Sequence, residues 1–140
     1  MLTCDVKIRV WYKHTDQMGF VHHSNYICYY EEARSAFMRR YGVSYAKMEA
    51  DGVLMPILHV DSDYKKPAFY DDELTVRVII KDVPKVRFTV HYEVYNSSNE
   101  LLNTGCTVLG FLRKESMLPC RAPQWFVELL KANGVSESGE

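Results

Sequence analysis

Apolar side chains at Val6, Ile8, Val10 and Tyr12 alternate with Lys7, Arg9 and Trp11, a period of two that predicts a strand over residues 5–12 with one face buried. From Lys13 to Ser24 the alternation stops, and Thr15-Asp16 and Gly19 mark a loop. Between Asn25 and Tyr41 the period changes. Tyr26, Tyr30, Ala33, Phe37 and Tyr41 recur at helical spacing with Glu32, Ser35 and Arg39 opposite, which predicts a long amphipathic helix. Ser24 or Asn25 is the expected N-cap, and Gly42 stands where a helix ends in a left-handed residue.

A shorter helical or irregular stretch covers Ser44 to Asp51, and most of the chain beyond it reads as strand. Ile57 to Lys66 is closed by Pro67 and followed by a turn at Asp71-Asp72. Leu74, Val76, Val78 and Ile80 share one strand face, and Phe88, Val90, Tyr92 and Val94 share another. Asn96-Ser97-Ser98-Asn99 turns the chain into a strand from Leu101 to Arg113. Near the end, Pro123 suits a first helical position, and Trp125, Phe126, Leu129 and Leu130 form a stripe that stops at Asn133-Gly134. The order implies an α+β fold: an antiparallel sheet of about five strands wrapped around one long central helix, plus a C-terminal helix. Residues 1–135 are expected to form a single domain and residues 136–140 a frayed tail. The outer strands of such a sheet carry unpaired backbone groups, so pairing with a second copy is expected.

Composition narrows the function. The 140 residues are 47% apolar and 25% charged, enough for a real core, and a net charge of -1 gives no field for a polyanion, so nucleic acid is not an expected partner. Apolar runs such as Val53–Leu58 are far shorter than a membrane span. The first residues enter a strand pattern directly, without a secretory signal, and the expected address is cytoplasmic. Cysteines 4, 28, 106 and 120 show no CxxC spacing and read as free buried thiols in a reducing compartment.

The densest polar cluster, His14 to Tyr26, lies between strand and helix and holds three of the five histidines. The first N–H groups of the helix have no helical partners and carry the positive end of its dipole, which makes an oxyanion site. Gly19 lets the loop turn so that the Asp16 carboxylate can face that terminus. A carboxylate beside oxyanion donors suits acyl transfer. Other readings exist for each residue: Asp16 as a turn or capping residue, Glu31 paired with Arg34 at i,i+3, and His59 and His91 as ordinary sheet residues. A metal site at His14, Asp16, His22 and His23 is disfavoured, because no HxxxH or HExxH spacing is present and a helix N-terminus repels a cation.

The run Asp16-x-x-Gly19-x-Val21-x-His23-x-x-Tyr26, followed by Glu31-Glu32-Ala33-Arg34, resembles the signature of the 4-hydroxybenzoyl-CoA thioesterase family, which includes the YbgC-like acyl-CoA thioesterases and has the hotdog fold. Tyr64-Lys65-Lys66-Pro67-Ala68-Phe69-Tyr70-Asp71-Asp72 resembles the same family's Tyr-x-x-Pro-Ala-x-x-x-Asp segment, and the likeness covers roughly residues 5–133. It implies an enzyme that hydrolyses a small or medium acyl-CoA to free acid and CoA. Asp16 would be nucleophile or general base, the His23 backbone N–H the oxyanion donor and Glu31 a second-choice carboxylate. Implied substrate contacts are Gly19, His22, Asn25, Tyr26, Ile57, Leu58 and His59. Lys85 and Arg87 rank first for the CoA phosphates among a basic set that also holds Lys65, Lys66, Arg113 and Lys114. No cofactor or metal is implied, since CoA is part of the substrate, and a homodimer assembling to a tetramer is. His14 departs from the pattern, standing where many relatives carry an acid. Alternatives are an acyl-carrier-protein thioesterase, a non-catalytic acyl-CoA-binding protein of this fold, or a hotdog dehydratase using His22 or His23.

Overall fold

The computed structural model describes residues 1–137. Five strands, β1 (Leu2–Arg9), β3 (Ile57–Tyr64), β4 (Glu73–Ile80), β5 (Arg87–Tyr95) and β6 (Leu101–Gly110), form one antiparallel sheet in the order β1-β4-β5-β6-β3. A two-stranded ribbon pairs β2 (Val53–Leu54) with β7 (Leu112–Arg113). Three helices complete the chain: α1 (Asn25–Arg40), α2 (Tyr45–Ala50) and α3 (Gln124–Ala132).

The buried faces follow the sequence periods. Val6 and Ile8 of β1, Leu74, Val76 and Val78 of β4, and Phe88, Val90, Tyr92 and Val94 of β5 all point to one side of the sheet. The stripe Tyr26, Tyr29, Tyr30, Ala33, Phe37 and Met38 of α1 meets them, and each large side chain so buried stabilises the fold by about 1.5–3 kcal/mol. The helix crosses the sheet. It starts beside the end of β3, where the Tyr64 hydroxyl donates to the His23 carbonyl at 3.0 Å, and finishes at β1, where Arg40 donates to the Asp5 carbonyl at 2.7 Å. Midway, the Tyr30 ring stacks on Tyr92 at 4.4 Å and its hydroxyl meets Asn103 and Ser62.

Several boundaries differ from the sequence expectation. The first strand runs over 2–9 rather than 5–12, because Leu2 and Cys4 continue the buried alternation while Tyr12 is exposed in a 3-10 turn at 12–14. The third strand ends at Tyr64, after which Lys65 and Lys66 both donate to the Leu102 carbonyl. The strand expected to reach Arg113 breaks after Gly110, and residues 112–113 pair with the ribbon instead. Pro123 caps α3 rather than starting it. Ser24 is the N-cap of α1 without a side-chain cap bond, since its hydroxyl is engaged with His22. Gly42 and Gly134 close α1 and α3 with φ of 76° and 92°, as their positions predicted. Within the expected tail, the Ser136 carbonyl accepts from the Val83 N–H at 3.1 Å, and Glu137 pairs with Lys131. The rest of the expected tail, 138–140, lies outside the described residues. All four cysteines are free, but only Cys4 is buried, and Cys28 is exposed on the outer face of α1.

Candidate active site

The loop between β1 and α1 is folded by its own backbone. The Asp16 N–H donates to the Phe20 carbonyl at 2.8 Å and the Gly19 N–H to the Asp16 carbonyl at 3.0 Å, a reversal that Gly19 permits with φ of 82°. Asp16 Oδ1 accepts from the N–H groups of Met18 (2.8 Å) and Phe20 (3.3 Å), so the loop holds one carboxylate oxygen while the other makes no bond within the described residues. Val21 then pairs with the Ala68 carbonyl at 2.8 Å, which ties the loop to the segment after β3.

The start of α1 is built just as locally. The His14 carbonyl accepts from the His22 N–H at 2.8 Å and the Asn25 side chain at 2.9 Å. The Asn25 N–H reaches the His22 carbonyl, and the Ser24 N–H reaches His22 Nδ1 at 3.3 Å. Among the described residues the His23 N–H has no protein acceptor. His23 stands immediately before the N-cap Ser24, beside the positive end of the helix dipole.

Asp16 and His23 line a common cleft of about 340 Å³, walled by Met18, Phe20, Val21, Tyr26, Tyr64 and Pro67, with Lys65 and Lys66 on its rim. Burial pushes the Tyr26 phenol up to about 12, with Tyr64 adding to the rise, so this wall is uncharged near neutral pH. Lys66 is paired with Glu100 at 2.7 Å, whereas Lys65 makes no ion pair among the described residues. The cleft thus brings together a residue with one unengaged carboxylate oxygen, Asp16, and a residue whose backbone N–H has no acceptor among the described residues, His23.

The remaining expected site residues divide. Gly19, His22 and Asn25 shape the loop and helix start rather than the cleft wall. Ile57, Leu58 and His59 stand on the exposed edge strand β3, outside the cleft of their own chain, and His59 pairs with Asp61 at 3.0 Å. Lys85 and Arg87 do not reach the cleft. Arg87 pairs in register with Gly110, at the end of the sheet opposite Tyr64 and Asn103, and the Lys85 carbonyl accepts from Ala122, so the cations beside the cleft are Lys65 and Lys66. Glu31 is exposed on α1 and does not pair with Arg34, which faces inward, 5% exposed, and donates to the hydroxyls of Tyr92 (3.0 Å) and Tyr45 (3.3 Å). His14 and His22 direct Nδ1 into loop bonds, and the described residues hold no cluster of three or more His, Cys, Asp or Glu suited to a metal ion. Tyr64 and Phe20 were not expected as walls. The Tyr-x-x-Pro-Ala spacing carried the signal for Tyr64, because Pro67 and Ala68 bend the chain back against Val21 and leave Tyr64 over the helix start.

A five-stranded antiparallel sheet crossed by α1, with an acid-bearing loop closing on that helix's first turn, defines a thioesterase of the hotdog type. The chain belongs to the thioesterase-like superfamily, whose family model matches residues 10–130, and by that membership it is a thioester hydrolase. It is 32% identical over 135 residues to the acyl-CoA thioesterase YbgC of Helicobacter pylori, covering 91% of this chain and 99% of that one. It is 27% identical over 124 residues to the acyl-CoA thioester hydrolase YbgC of Escherichia coli, covering 89% and 92%. Among solved structures, the DHNA-CoA thioesterase of Staphylococcus aureus superimposes with a TM-score of 0.85 at 31% identity, over 94% of this chain and 89% of that one.

Proposed function

We propose that the chain hydrolyses acyl-CoA thioesters, with Asp16 as nucleophile or general base and the His23 N–H as oxyanion donor. The observation that carries this reading is the shared cleft, whose lining includes both Asp16, with one carboxylate oxygen unengaged, and His23, whose N–H has no protein acceptor among the described residues. In the nucleophilic route Asp16 attacks the thioester carbon, CoA thiolate leaves, and water cleaves the mixed anhydride. In the general-base route Asp16 takes a proton from the attacking water. Both routes put negative charge on the carbonyl oxygen, where the N–H stabilises it. The relatives' names support CoA as the carrier, and Lys65, which lines the cleft and makes no ion pair among the described residues, is the cation this reading assigns to a phosphate.

The active unit in this reading is a homodimer joined along β3. That strand is an uncovered edge bearing Ile57 (47% exposed) and Leu58 (53% exposed), the kind of edge that pairs with another copy. Antiparallel pairing would carry residues 57–59 of a second copy to the Tyr64 end, beside the cleft, where they become the acyl wall. Release of free thiol from a panel of aliphatic and aromatic acyl-CoAs tests the function. Turnover of at least one of them well above the uncatalysed rate is expected, and a protein inert to the whole panel overturns the reading.

A further inference from the structure

His14 is bonded to the turn before the Asp16 loop, to the start of α1 and to the first turns of that helix. Its Nδ1 accepts from the Trp11 N–H at 3.0 Å and lies 2.9 Å from the Tyr29 hydroxyl on α1. Its carbonyl accepts from His22 and Asn25, and its ring packs edge-on against Tyr29 at 5.3 Å. An amide N–H only donates. Nδ1 must therefore keep its lone pair, which puts the ring proton on Nε2. We propose that His14 is a positioning residue whose neutral imidazole latches the Asp16 loop to α1, holding the carboxylate and the His23 N–H in register only while the ring is uncharged. The proposal takes its catalytic meaning from the acyl-CoA thioesterase reading above.

A proton on Nδ1 would face the Trp11 N–H donor to donor, leaving that amide without an acceptor and forcing the Tyr29 hydroxyl to reverse. Asp16 lies two residues further on, and Thr15 between them is tied to the Tyr12 carbonyl at 2.7 Å, so loosening at His14 passes directly to the carboxylate. The charged groups around the ring are Lys13 on its own turn, Lys7 and Arg9 on β1, and Glu32 on α1. Burial of the ring, then Lys13, lowers its affinity for a proton below the ordinary 6.5, while Glu32 opposes them. The fold thus favours the neutral form, so the latch is closed above about pH 6.5 and is lost as pH falls through the lowered value.

Three proteins test this. His14→Leu removes the acceptor, whereas His14→Asn offers an amide oxygen near the position of Nδ1 and does not titrate. At neutral pH the leucine variant is expected to lose about 10- to 100-fold in kcat with little change in KM, the scale of a small misplacement of reacting groups. The asparagine variant is expected to recover to within about threefold. Wild-type kcat should fall as pH drops below about 6.5, and the asparagine variant should lack that limb. A fully active leucine variant, or identical acid limbs for wild type and His14→Asn, overturns the proposal.

Nitrogen-15 spectra of the His14 ring, with amide exchange at Trp11 and His22, read the latch without any turnover. An Nε2–H tautomer at pH 7, with Trp11 and His22 exchange accelerating as the ring protonates, supports it. A ring protonated on Nδ1 at pH 7 overturns it. If wild-type protein hydrolyses no acyl thioester, the functional reading fails and the spectra still decide the latch. If the leucine variant does not fold, the asparagine pH limb and the wild-type spectra decide it.

Discussion

At the scale of single residues, the site rests on which atoms are already engaged. Asp16 Oδ1 is held by two backbone N–H groups, so Asp16→Asn keeps an acceptor for the loop and removes only the charge. At residue 23 the proposed oxyanion contact is made by the main chain. His23→Pro deletes the N–H and is expected to lower kcat by about 10²- to 10³-fold, while His23→Ala keeps it and should stay within about tenfold of wild type; steady-state kinetics on one acyl-CoA separates the two. The carboxylate and the helix start were legible because a loop acid, a glycine and a helix pattern stand in fixed order. The Glu31–Arg34 pairing was misread from i,i+3 spacing alone. Residues 30, 33, 34 and 37 share one face at 3.6 residues per turn, and that face is buried, so Arg34 turns to Tyr92 and Tyr45 while Glu31 stays in solvent. Lys85 and Arg87 rank first for the CoA phosphates in the sequence because they are basic and near strand ends, and the sheet register puts Arg87 at the end opposite Tyr64, away from the cleft.

At the scale of elements, the joint between α1 and the sheet is the tightest. The stacked Tyr30 and Tyr92 rings lie so close to β6 that a Cβ at Gly105 would overlap the Tyr30 phenol. Gly105→Ala is expected to cost about 1–3 kcal/mol and to lower the melting temperature by several degrees in a thermal scan, because neither ring can retreat from a packed interior. The Tyr30 hydroxyl also joins Asn103 and Ser62, and Asn103 in turn donates to the Asp63 carbonyl, so one buried polar network fastens helix, β6 and β3. Tyr30→Phe should destabilise by about 1–3 kcal/mol in urea titration, since it strips a partner from the fully buried Asn103. The helix and the inner strands were readable because burial of one face imposes a strict period on them. The break after Gly110 and the end of β3 depend on partners distant in sequence, and local pattern carries no trace of those, whereas the start of β1 follows an alternation that already begins at Leu2.

At the scale of the whole molecule, the cleft sits at one corner of the sheet, opened by the loop and α1 and flanked by the free edge of β3. No helix among the described residues is long and apolar enough to cross a membrane. If copies join along β3, Leu58→Lys places a charge in the joint and should shift the protein to monomer by light scattering, with hydrolysis lowered in proportion to the lost dimer; unchanged mass would remove β3 as the joint. The central claim is that a single carboxylate works with a helix-terminal N–H on the thioester carbonyl. It is tested most directly by kcat for Asp16→Asn on the best wild-type acyl-CoA substrate, measured beside the dissociation constant for free CoA. The expected result is a fall in kcat of about 10²- to 10⁴-fold with CoA binding unchanged. Wild-type turnover by that variant would contradict the claim.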